Sequence, residues 1–146
     1  MTAVLADHLR IRPAVAADAD ALWPLVRAFA VSFTPERTAF ERTLPELLTR
    51  TDTLLVVAEA DGAVIGYLLA SVHPTFLANA PVAWVEEVMV DAESRRAGAG
   101  SALMAAAERW AAEVGAAYIS LASRRAGEFY VTLGYDDSAV FFRKHL

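Results

Sequence analysis

The sequence contains no cysteine, which excludes disulfides, a thiol nucleophile and any metal site built on thiolates. Its three histidines, His8, His73 and His145, stand far apart and show no ligand spacing, so no metal is expected. Basic residues are also scarce. Thirteen Lys and Arg against 18 Asp and Glu give a formal net charge of -5, and the basic groups form only pairs such as Arg95-Arg96 and Arg124-Arg125. Affinity for phosphate backbones comes from clustered Lys and Arg, so nucleic acid is not an expected partner. The acidic balance suits a cationic substrate, or solubility alone. No apolar run reaches the roughly 20 residues that a bilayer-spanning helix needs. The opening Met-Thr-Ala-Val-Leu-Ala-Asp lacks the basic and apolar regions of a signal peptide, so the expected location is cytoplasmic, with no membrane partner.

What the sequence does have is apolar mass. Of 146 residues, 56% are apolar, enough for one domain over 1–146 with a sizeable core. Leu9 to Arg12 alternates as a short strand, and Asp18 or Asp20 offers an N-cap for a helix carrying Leu22, Leu25, Val26, Phe29 and Phe33. Pro24 belongs in its first turn or at a kink. Thr34-Pro35-Glu36 predicts a second helix with Pro35 at its first position and Phe40, Leu44, Leu47 and Leu48 on one face. Thr53–Glu59 and Val64–Val72 read as strands joined by Asp61-Gly62, a dipeptide that tolerates the positive φ of a tight hairpin. A loop from His73 to Pro81 leads to a third apolar strand, Val82–Val90, interrupted by Glu86 and Glu87. A long helix from about Ala99 to Val114 presents Leu103, Ala107, Trp110 and Val114 inward and stops at Gly115. Tyr118–Ala122 reads as a strand, Ala126–Leu133 as a short helix and Val140–Lys144 as a closing strand.

The segment Val88 to Met104 is the most informative. A strand runs through Arg95-Arg96-Ala97-Gly98-Ala99-Gly100 straight into a helix. A helix start leaves about four backbone N–H groups unpaired and carries the positive end of the macrodipole. Glycines let a phosphate reach those groups, and two arginines at the lip add charge-assisted hydrogen bonds. Taken alone, the same residues also describe a turn that merely needs glycine. The spacing is neither a dinucleotide fingerprint, since position 103 is Leu, nor a P-loop, since no Gly-Lys-Ser/Thr follows.

Arg95-x-x-Gly98-x-Gly100 does resemble the [Q/R]-x-x-G-x-[G/A] signature of the GNAT acetyltransferases. Ser123-x-x-Ala126-x-x-x-Tyr130-x-x-Leu133-Gly134-Tyr135 is similar to the family's N-x-x-A-x-x-x-Y-x-x-L-G-F/Y element, and the opening Ile11-Arg12-Pro13-Ala14 also fits its layout. The resemblance implies a mixed α/β (α+β) fold, with a mostly antiparallel central sheet of six to seven strands flanked by about four helices. It implies acetyl-CoA as cofactor, with coenzyme A as product. Backbone groups of Val88, Met89 and Val90 would pair with the pantetheine arm. Arg95, Arg96, Ala97, Gly98, Ala99, Gly100 and Ser101 would wrap the pyrophosphate, and Ser123 and Tyr130 would complete the cofactor set. Ser123 departs from the family's Asn, so that contact is shorter or absent. A homodimer is compatible with the resemblance.

Acetyl transfer to an amine needs the neutral amine, which for a group of pKa near 10.4 costs about 4 kcal/mol at neutral pH. A carboxylate can take that proton. Glu86 and Glu87 both sit in the strand beside the signature, and alternation points them to opposite faces. A bulge would reverse that parity, so either is a candidate base, and either could be an ordinary strand charge. The resemblance makes Tyr130 the acid that protonates the departing thiolate, against a plain packing role on Leu133. An oxyanion donor is expected from the backbone N–H of Val88 or a neighbour. Trp84, Phe76 and His73 are candidates to line the acceptor site, although Trp84 serves equally well as packing. The expected activity is N-acetylation of a primary amine, of a small molecule first. A protein lysine or N-terminus, or a coenzyme A sensor without catalysis, stand as alternatives.

Overall fold

The computed structural model describes residues 8–30, 32–124 and 126–146, with the backbone alone for residues 95–97. The expectations placed on the first seven residues, on Arg125 and on the side chains of Arg95, Arg96 and Ala97 lie outside the described residues. Strand β1 (Leu9–Pro13) leads through a 3-10 turn (Ala16–Asp18) into α1 (Ala19–Phe29) and α2 (Arg37–Thr49). Then follow β2 (Thr53–Ala60), β3 (Ala63–His73), β4 (Val82–Val90), a second 3-10 turn (Ala92–Ala97), α3 (Ala99–Glu113), β5 (Ile119–Leu121) and α4 (Gly127–Thr132). The sheet order is β1-β2-β3-β4-β5, antiparallel except for the β4–β5 pair, which the α3 crossover makes parallel.

Alternation along the strands divides the apolar residues between two cores. Val56, Ala58, Leu68, Ala70, Val85 and Val90 pack against Leu103, Met104 and Ala107 of α3. Val57 and Tyr67 face the other way, against Leu22 and Leu25 of α1 and Leu44 of α2. Asp61 (φ 52°) and Gly62 (φ 79°) make the hairpin turn between β2 and β3. Gly115 (φ 79°) ends α3 in the left-handed region that glycine favours. No described helix is long and apolar enough to cross a membrane.

Charge fixes the first turn of α1. The Arg12 guanidinium donates to both oxygens of Asp18 at 2.9 Å and to Glu59 at 2.7 Å, while Asp18 Oδ2 accepts the Val15 N–H at 2.8 Å. One arginine thus ties β1, β2 and the helix start together. The hydrogen bonds from Arg12 hold the buried Asp18 carboxyl below its ordinary pKa.

Five strands form among the described residues, fewer than the six to seven expected, and four α-helices flank them. The shortfall lies at the carboxyl end, where residues 136–146 form no strand. Side chains anchor that segment instead. Phe141 stacks on Trp84 with ring centroids 6.2 Å apart, Arg143 donates to Ser32 Oγ at 3.0 Å, and His145 meets Phe33. Phe33 therefore does not lie on the inward face of α1, which ends at Phe29; it is exposed and belongs to the α1–α2 connection. Val114 lies just past α3 and is partly solvent-facing, because the chain is already turning at Gly115. Helix α2 starts two residues later than Pro35, with Glu36 extended as its N-cap. Pro24 and Pro45 sit inside continuous helices.

Replacing Asp18 by Asn should lower stability by about 1.5–3 kcal/mol near neutral pH, the usual loss for hydrogen bonds to a charged group. Because the native carboxyl titrates below 3.8, its contribution is complete above that value and is lost as pH falls beneath it. Urea unfolding at pH 7 and at pH 3 checks both points, since the gap between wild type and variant should narrow in acid.

Candidate active site

The pairing of β3 with β4 slips by one residue: Leu69 faces Glu87, but Ala70 faces Val85. Glu86 is the extra residue of this β-bulge and is exposed. The slip resets the parity of β4, so Trp84 before the bulge and Glu87 and Met89 after it share the face covered by α1 and α2. Val85, Val88 and Val90 share the face of α3.

Glu87 lies among apolar groups. Its Oε1 accepts a hydrogen bond from the Tyr67 hydroxyl at 2.6 Å, and Tyr67 is almost wholly buried. Burial raises the Glu87 carboxyl above its ordinary value, the bond from Tyr67 pulls it back in part, and the nearby Glu86 charge raises it further. Burial beside this carboxylate also pushes the Tyr67 phenol well up, so it stays the proton donor of the pair. Both side chains line a cavity of about 230 Å³ between the sheet and helices α1 and α2, whose walls include Leu22, Val26, Phe40, Leu44, Leu55 and Leu69. A second cavity, of about 660 Å³, is lined by Arg12, Asp18, Met89 and Asp91 among others. Arg12 and Asp18 there are already bonded to each other.

On the opposite face, Gly98 adopts φ 84° at the N-cap of α3, a conformation that favours glycine. Gly100 has no such need: a Cβ built there would approach Phe129 to 3.4 Å, an ordinary contact, and meet nothing closer. That smooth helix start, with the N–H groups of its first turn outside the intrahelical ladder, fits a pyrophosphate that must approach closely. Ala99 is fully buried in the α3 core, and Ser101, the next turn residue, is exposed. Strand β5 pairs only with Ala83–Val85, so the β4 edge from Glu86 to Met89 has no strand neighbour on that side among the described residues. An extended amide-bearing arm fits such an edge. The residues present therefore suit coenzyme A.

Tyr130 packs against the α3 core, edge-on to Phe129 (5.0 Å) and Tyr135 (6.0 Å). Burial raises its phenol, and its hydroxyl makes no hydrogen bond among the described residues. Tyr135 donates to Glu108 at 2.9 Å, tying the end of α4 to α3. Ser123 Oγ accepts the Ala126 N–H at 3.1 Å and thereby holds the turn before α4. Of the three acceptor-site candidates, none lines the 230 Å³ cavity. Trp84 shares the face of Glu87 but is stacked by Phe141, His73 ends β3 in an exposed position, and Phe76 is fully exposed in the following loop. Tyr67 was not singled out from the sequence. Its signal is a phenol inside the apolar run of β3, which must find a buried partner.

Residues 20–135 match the model of the acetyltransferase (GNAT) family. The chain belongs to this family and is an acyltransferase. No curated protein sequence matches it. Among solved structures it is similar to a transcriptional regulator from Bacillus halodurans C-125, at 24% identity over 95% of this chain and 100% of that one, with a TM-score of 0.86. It is also similar to glucosamine-6-phosphate N-acetyltransferase from Arabidopsis thaliana, at 19% identity over 94% and 97% of the two chains, with a TM-score of 0.84. A third is AAC(6')-Iy in complex with the bisubstrate analog CoA-S-monomethyl-acetylneamine, at 23% identity over 95% and 99%, with a TM-score of 0.80.

Removing the Tyr67 hydroxyl takes a donor away from the ionised form of Glu87. In the Tyr67→Phe variant the Glu87 carboxyl, followed by carbon-detected NMR titration, should therefore titrate at a higher pH than in wild type. An unchanged titration would show that the 2.6 Å bond does not favour the carboxylate.

Proposed function

We propose that the protein is an N-acetyltransferase that moves the acetyl group of acetyl-CoA to the primary amine of a small molecule, in the cytoplasm. The observation that carries this reading is the bulge at Glu86, which delivers the Glu87 carboxylate to a cavity floor beside the open β4 edge. In it, Glu87 is the base and Glu86 is solvated. Acetyl-CoA supplies an activated thioester when bound, against the Gly98–Ser101 turn and the β4 edge at Val88 and Met89. Glu87 accepts the proton of the incoming ammonium at its carboxylate, directly or through water. A raised carboxyl is closer in proton affinity to its task than an exposed one. Tyr130, with its proton held firmly by burial, donates to the departing sulfur. The Val88 N–H offers the carbonyl oxygen a donor.

Thiol release from acetyl-CoA in the presence of amines tests the reading. Glu87→Gln should lower kcat at pH 7 by about 10²–10⁴ and recover toward pH 9–10, where the free amine needs no base. Tyr130→Phe should lower kcat while keeping the fold, and Glu86→Gln should leave the rate near wild type. Stability should move the other way. A carboxyl raised by folding contributes fully below its unfolded value of 4.5 and loses that contribution as pH rises through its native value. Glu87→Gln should thus melt no lower than wild type at pH 7. A Glu87→Gln enzyme with undiminished rate at pH 7 would remove this base.

A further inference from the structure

The cavity that holds Glu87 has a lining that discriminates among amines. Resting on the acetyltransferase reading above, we infer that the acceptor is a lipophilic monoamine, a primary amine carried on a short alkyl chain or a single aromatic ring. Its body would lie between α1 and α2, with its nitrogen at Glu87.

Three observations carry this. First, the walls are apolar: Leu22 and Val26 come from α1, Phe40, Leu44 and Leu47 from α2, and Leu55 and Leu69 from the sheet. Second, polar groups are few and placed at the two ends. Glu87 and Tyr67 occupy the sheet side, where they already bond to each other, while the exposed Glu36 and Thr43 stand on α2 and its N-cap. The described lining contains no Lys, Arg or His, and Arg37, whose guanidinium lies 5.9 Å from the Phe40 ring centroid, is already paired with Asp20 and Glu41, so a phosphorylated amine would find no free counter-charge in the lining. A sugar hydroxyl buried against these leucines would give up water and gain no partner. Third, about 230 Å³ lies below the usual range for drug-sized ligands, so one ring or a short chain suffices to fill it. The two carboxylates give the site a negative potential, which attracts an ammonium and repels an amino acid's own carboxylate.

The test compares kcat/KM of the wild-type enzyme, by thiol release from acetyl-CoA, for phenethylamine and hexylamine against glucosamine 6-phosphate, neamine and a lysine peptide. The lipophilic amines should exceed each of the others by at least tenfold. Filling the cavity with Ala39→Phe should raise KM for phenethylamine at least tenfold, with acetyl-CoA affinity by calorimetry unchanged. The comparison on wild type stands without that variant should it fold poorly. A higher kcat/KM for an amino sugar overturns the inference and leaves the N-acetyltransferase reading intact, whereas a higher value for the lysine peptide overturns the inference together with the small-molecule acceptor. Binding of acetyl-CoA with no release on any amine overturns both.

Discussion

A single inserted residue in β4 organises the molecule. Without the bulge at Glu86, strict alternation would place Glu87 on the face of α3 and give Met89 the same orientation. With it, Val88 and Val90 complete the α3 core while Glu87 meets the Tyr67 hydroxyl across the sheet. A half-buried carboxylate is tolerable only with such a partner, and a buried phenol needs one as much. Bulge and hydrogen bond therefore sustain each other. The apolar cavity under α1 and α2 derives its chemical character from that pair.

Much of the architecture was legible because it is written in local rules. The Asp61-Gly62 hairpin and the Gly115 stop follow from residues that accept positive φ, and the α3 stripe follows from helical periodicity. The glycines at 98 and 100 stood out by their spacing before a helix. The carboxyl end misled, because Val140 to Lys144 has the composition of a strand but finds no ladder. Phe141 stacks on Trp84 instead. Phe33 misled similarly, since its spacing continued the α1 stripe past the point where the helix ends.

The candidate site residues could be nominated by type from the sequence, but not by direction. Sequence could nominate Glu86 and Glu87 together, but their facing depends on a register slip that only the partner strand reveals. Tyr67 escaped for the same reason: its partner is 20 residues away, and nothing in the β3 pattern names it. His73, Phe76 and Trp84 follow from the expectation that a loop lines the acceptor, whereas the cavity walls come from α1, α2 and the β2–β4 faces beneath them.

The two cores share no residue, and the sheet stands between them. Substitutions far apart with no common partner tend to add without interfering. A lineage carrying this chain could therefore rework the leucines and phenylalanine of α1 and α2, and with them, in the proposed reading, the choice of acceptor, while Gly98, Gly100 and the packing of α3 stay as they are. The same partition gives an engineer a library confined to one side of the sheet, whose members inherit an unaltered donor side.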